Sequence, residues 1–162
     1  MLSTALWEAL HRNKDHANAT PKDAGAWAEL LQWCDVLIVE GGPDQIGALN
    51  LPKPLPQHVV AIAISHFGQS GVRAKWGGSD LVDAAYGGGC NKNGEPGRPP
   101  LRPPAFGGDH EVGLNAAVAC LIALRASKLD GIGQWVDVSA VDTWATIQTG
   151  IGLLEFIFMG RL

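Results

Sequence analysis

The sequence predicts an α/β protein: an open, mainly parallel sheet flanked by helices. Three observations carry this expectation. Residues 35–39 (Asp-Val-Leu-Ile-Val) and 59–64 (Val-Val-Ala-Ile-Ala-Ile) are short apolar runs rich in β-branched side chains, the pattern of strands covered on both faces. A segment with helical spacing of apolar residues precedes the first run. Gly- and Pro-rich connections separate the runs, so helix, strand, connection and strand alternate as in a layered α/β domain. With 162 residues the chain suffices for one such domain with a buried core, and for no comfortable second one.

Taken in order, Thr20-Pro21-Lys22-Asp23 is the first signal: Thr as N-cap, Pro at the first helical position and an acid at the third. The helix then runs through Ala26, Trp27, Leu30 and Leu31 to about Trp33. Gly41-Gly42-Pro43 ends the first strand, and the Pro-rich connection 51–56 leads into the second. This rhythm is that of a Rossmann-like sheet. Residues 66–108 are dominated by Gly and Pro, with a short helix expected over 80–86; long loops of this kind are usually functional. Asp109 opens a helix reaching about Ser127, and because residues 116–124 are apolar on every side it should be buried nearly all round. Lys128 to Gly133 stop it, with Gly available for a left-handed cap. Residues 135–139 alternate like a strand, and Ser139 with Asp142 starts a final apolar helix.

Composition narrows the function classes. Twelve Lys and Arg against sixteen Asp and Glu give a charge of −4, which argues against a nucleic-acid binder needing a basic face. The 21 Gly and 10 Pro would suit disorder, but 46% apolar residues and six Trp contradict it. Cys34, Cys90 and Cys120 are scattered and odd in number, giving neither a disulfide framework nor a zinc site. The first residues lack the features of a signal peptide, and the longest apolar stretch, 143–159, is interrupted by Gln148, two glycines and Glu155. The expectation is a soluble cytoplasmic protein with no membrane partner.

Asp109 is the foremost candidate for chemistry. It follows two glycines and opens a buried helix, where the positive helix end and nearby amides hold a carboxylate ionised. The glycines would also let a substrate approach the backbone. An N-cap with no further role explains the same pattern. Residues 87–94 (Gly-Gly-Gly-Cys-Asn-Lys-Asn-Gly) lack phosphate-loop spacing and read as a flexible surface loop. Arg12, Lys14, Arg73 and Lys75 are basic residues in loop-like positions, suited to an anionic ligand or to solvent alone. The five histidines show no metal-ligand pairing, and the hydrolase elbow G-x-S-x-G is absent.

Seven segments, in order, together resemble the family III CoA-transferases, which include formyl-CoA transferase, carnitine CoA-transferase and α-methylacyl-CoA racemase. They are Arg12-Asn-Lys14, residues 35–38, Ser65-His-Phe-Gly-Gln-Ser-Gly71, residues 79–88, Asp109-His-Glu-Val-Gly113, residues 123–125 and Gly131-Ile-Gly-Gln-Trp-Val-Asp-Val-Ser139. The resemblance implies that Asp109 is a nucleophile. It would attack an acyl-CoA thioester to form a mixed anhydride, and then carry CoA as an aspartyl thioester until a second carboxylic acid takes it. No metal and no permanently bound cofactor is implied; CoA and acyl-CoA are substrates. By the same resemblance Arg12 and Lys14 contact the CoA phosphates or ribose, Gly68 and Gln69 border the pantetheine channel, and Asp80 is an acid near the active site.

Two positions depart from the family pattern. The racemase branch carries a basic His before the matching Asp, and here that residue is Ser79, which favours transfer over racemisation. Many members follow the first strand with Asn-Phe-Arg-Pro, whereas this chain has Glu40-Gly41-Gly42-Pro43, lacking an aromatic and a cationic CoA contact and resembling long two-unit members. The resemblance spans the central part of the family's large domain. Residues 1–162 are thus expected to lack a first βα unit and a C-terminal small domain. It also implies an interlocked homodimer, or a complementary chain supplying the missing segments. The competing readings are a non-catalytic CoA-binding or assembly fragment, and an acyl-CoA racemase or isomerase.

Overall fold

The computed structural model describes residues 4–16, 24–95, 97–104 and 107–160. The helix start expected over residues 20–23 lies outside them. Helices α1 (Thr4–His11) and α2 (Ala24–Trp33) lead to strand β1 (Val36–Glu40), a short helix α3 (Pro43–Gly47) and strand β2 (Val60–Ser65). Then come α4 (Asp80–Tyr86), a 3-10 turn (Gly89–Lys92), the long helix α5 (Gly107–Asp130), strand β3 (Trp135–Ser139) and α6 (Ala140–Met159). The three strands form one parallel sheet in the order β1-β2-β3, with Val36 opposite Val60 and Ala61 opposite Trp135. The chain has the fold the sequence predicts, and α4, β3 and the Ser139 cap fall where expected. Ser139 Oγ accepts a hydrogen bond from the Asp142 amide at 3.2 Å.

β2 is the hub because both its faces are covered. Val60 and Ile62 pack with Val138 of β3 against Val112, Ala116 and Ala123 of α5. Ala63 faces the other way, against Val39, Ile46 and Leu51. Alternate residues thus serve opposite layers, which is why this strand reads as an unbroken apolar run. Burying Val60 and Ile62 completely stabilises the fold by about 1.5–3 kcal/mol each.

Three expectations need correction. β1 is parallel but only partly buried: among the described residues it pairs on one side only, and Ile38 is 61% exposed although Val39 lies in the core. α5 is not buried all round either. Its Val112–Ala116–Ala123 stripe lies on the sheet, while Leu114, Val118, Leu121 and Ile122 are each more than half exposed. Three strands cover one stripe of the helix and no more. Moreover α5, rather than residues 143–159, is the described helix long and apolar enough to cross a membrane. Third, the Gly87–Gly89 segment is packed, not a free loop. A Cβ on Gly87 or Gly89 would run into the Trp144 side chain of α6, so these glycines admit a tryptophan rather than a phosphate. α1 and α3 were not anticipated. The Gly131 cap is as expected: φ is +77° and its amide bonds the Ser127 carbonyl at 2.9 Å.

Candidate active site at the carboxyl ends of the strands

In an open parallel sheet the strands all end on the same side, and the segments leaving them enclose the natural ligand crevice. Here that crevice is a cleft of about 560 Å³. Glu40 and Gly41 come from the end of β1, Ser65 and His66 from the end of β2, Asp83 from α4 and Asp109 from α5.

α5 begins two residues earlier than the sequence suggests, at Gly107, so Asp109 is a first-turn residue and not the N-cap. It still lies beside the backbone amides of that turn, which have no partner within the helix. Gly107 is open, with nothing near the position of a Cβ, but Gly108 is buried and serves packing instead of substrate approach. A side chain there would collide with the Asp80 carboxylate and the Trp144 indole nitrogen.

Beside Asp109 lies a pair the sequence reading did not single out. His66 Nδ1 and Asp83 Oδ2 are 2.7 Å apart, with the Asp83 side chain 6% exposed and His66 41% exposed. We assign the shared proton to Nδ1, which donates to the carboxylate and leaves Nε2 as the acceptor nitrogen. Burial pushes the Asp83 carboxyl above its ordinary range; the His66 bond and charge pull it back, and the negative charges of Asp80 and Asp109 add to the rise. Asp83 Oδ1 and Ser65 Oγ, both buried on this cleft, have no hydrogen-bond partner among the described residues. Gly78 makes room for the histidine, since a Cβ at that position would overlap the His66 ring. One signal in the sequence pointed this way: His66 follows the buried apolar run 59–64 by two residues, at the strand end where such folds place ligands.

The remaining predicted residues are distributed as follows. Asp80, the first residue of α4, sets its buried Oδ1 against Gly108, one residue before Asp109. Gly68 has φ of +81°, and Gln69 ties β3 to the turn after β1: its backbone amide donates to Asp137 Oδ2 at 2.7 Å and its Nε2 to the Gly41 carbonyl at 2.8 Å. Gln69 lines a second cavity of about 540 Å³ beneath the Pro-rich connection, not the Asp109 cleft. Arg12 and Lys14 lie exposed beyond α1 and do not line the cleft; Lys14 Nζ donates to the Leu10 carbonyl at 2.6 Å. Arg73 lies over the rings of Trp76 and Tyr86, 5.6 Å from each centroid. Ser79 is occupied as the N-cap of α4, accepting from the Val82 amide.

A carboxylate and a histidine gathered where parallel strands end define an α/β protein with a polar crevice at the strand ends. Comparison with known proteins takes this further. The model of CoA-transferase family III matches residues 2–156, and the chain belongs to that family. It is 31% identical over 152 residues to an acyl-CoA transferase of Fusarium pseudograminearum, covering 90% of this chain and 33% of that protein. It is 26% identical to a succinate–glutarate CoA-transferase of Agrobacterium fabrum, covering 99% of this chain and 42% of that one. A CaiB/BaiF family protein from Brucella suis superposes with a TM-score of 0.79 at 22% identity, over 91% of this chain and 41% of its own. The chain thus spans about a third to two-fifths of these relatives.

Proposed function

We propose that this chain carries the reactive carboxylate of a CoA-transferase, moving CoA between an acyl-CoA and a free carboxylic acid. The observation that carries the reading is the position of Asp109, in the first turn of α5 and on the cleft at the strand ends, in a member of this family. A carboxylate there attacks the thioester carbonyl, expels CoA thiolate and becomes a mixed anhydride; thiolate return gives the aspartyl-CoA thioester and frees the first acid. The second acid reverses these steps. Neither step requires a metal or a permanent cofactor. Arg12, Lys14, Gly68, Gln69 and Asp80 are proposed CoA-side contacts or supports.

The protein is further proposed to be cytoplasmic and to work as a homodimer or with a complementary chain. The apolar outer side of α5 and the exposed Phe156, Ile157 and Phe158 of α6 support such a partner. Those same faces also favour a second reading, an assembly or CoA-binding fragment without catalysis. Incubation with acyl-CoA followed by hydroxylamine or borohydride, then peptide mass analysis, separates the two. The transfer reading expects a modification at Asp109 that is absent from Asp109→Asn. CoA binding with no adduct at Asp109 would sink it.

A further inference from the structure

CoA transfer between two carboxylates is proton-neutral: each acid arrives and leaves as its anion, and CoA passes as a thiolate. The chemistry proposed above therefore has no use for a base, yet His66 and Asp83 face the same cleft as Asp109. Their arrangement is that of an oriented imidazole. Asp83 is buried and holds Nδ1 at 2.7 Å, Gly78 clears space for the ring, and Nε2 has no hydrogen-bond partner among the described residues. Ser65 Oγ and Asp83 Oδ1, buried and unpartnered on the same cleft, supply sites for an O–H group.

We infer that His66 is a general base that activates water against the acyl group held by Asp109, giving the chain an acyl-CoA hydrolase activity; the inference rests on the reading of Asp109 as nucleophile. Asp109 forms a C–O bond to the acyl carbon and the C–S bond breaks, releasing CoA thiolate. Nε2 of His66 takes one proton from water as the water oxygen bonds the acyl carbon, and the C–O bond to Asp109 breaks. The acid leaves with the second proton, and His66 passes the first to the thiolate. Acyl-CoA and water have become acid and CoA thiol, with Asp109 and His66 restored. Asp83 is a positioning residue that fixes the tautomer.

The test uses the 162-residue chain with acetyl-CoA and succinyl-CoA in ¹⁸O-water, reading free thiol, label in the released acid and the adduct at Asp109. Thiol release with one ¹⁸O in the acid is expected. His66→Ala, with unchanged near-UV circular dichroism, should hydrolyse about 100-fold more slowly, with partial rescue by added imidazole. His66→Gln provides the same comparison where His66→Ala does not fold. Asp83→Asn should lower kcat with little change in KM. An adduct at Asp109 whose acyl group passes to carboxylates but never to water overturns the hydrolase and leaves transfer standing. Neither adduct nor thiol release overturns both. Hydrolysis by His66→Ala at the wild-type rate, or α-deuterium exchange without thiol release, also overturns the assignment.

Discussion

Gly78→Ala adds one carbon directly against the His66 ring, and the geometry says what that carbon meets. The new Cβ would lie 2.7 Å from both Cβ and Nδ1 of His66, roughly 1 Å inside the separation of touching atoms. The obstruction is a ring on a short side chain, so either the histidine turns away or the loop moves. A displacement of that size takes the 2.7 Å bond to Asp83 beyond hydrogen-bonding range. Both carboxylate oxygens of a side chain that is only 6% exposed then lack a partner. A buried acceptor stripped of its donor costs about 1–3 kcal/mol, and more when it is charged. The cost also depends on pH, with a sign set by the raised pKa of Asp83. Between the ordinary carboxylate value and the raised one, the folded state holds a proton that the unfolded state has released, so stability falls as pH rises through this window. Loss of the His66 bond raises the pKa further and widens the window. Urea denaturation of both proteins from pH 4 to pH 8 should show a destabilisation that grows with pH. An equal and constant Cm in the two proteins, with the His66 imidazole NMR signals unmoved, would refute the reasoning.

Two further substitutions probe the frame around the site. Ile62→Ala, at a fully buried position of the central strand, should cost about 2–5 kcal/mol in denaturant unfolding, and a loss below about 1 kcal/mol contradicts its place in the core. Asp35 and Lys128 pair at 2.6 Å on the surface, joining the approach to β1 to the last turn of α5, and the ammonium holds the Asp35 carboxyl below its usual range. Stability from this pair is present above the ordinary carboxylate pKa and is lost as pH falls through the lowered value. Asp35→Asn should accordingly unfold slightly earlier than wild type at neutral pH and low salt, and the two curves should converge in acid. A difference independent of both pH and salt would be inconsistent with the ion pair.

The strongest local signals were legible in the sequence. β2 announces itself through the run of six apolar residues at 59–64, and the Ser139 cap is made three residues along the chain. The Asp109 helix, by contrast, was legible in existence and not in environment. Its all-round apolar stretch suggested burial, but burial depends on how many neighbours the rest of the chain provides. The exposed Leu121 and Ile122 show the same composition serving a one-sided contact. Gly87–Gly89 misled for a related reason: a glycine's use depends on what lies opposite, and Trp144 stands 55 to 57 residues further on.

The sequence alone determined the α/β class, the parallel character of its strands and the candidacy of Asp109, because apolar runs, turn residues and caps act over a few residues. Tertiary structure decided which side chains share the Asp109 cleft. It brought His66 from the end of β2 to Asp83 on α4, seventeen residues away, and set Asp80 against Gly108. It also turned the Gly-rich turns into fitted contacts and left one side of α5 uncovered. Such pairings depend on where the sheet and helices come to rest, and no local propensity encodes a distance across the fold.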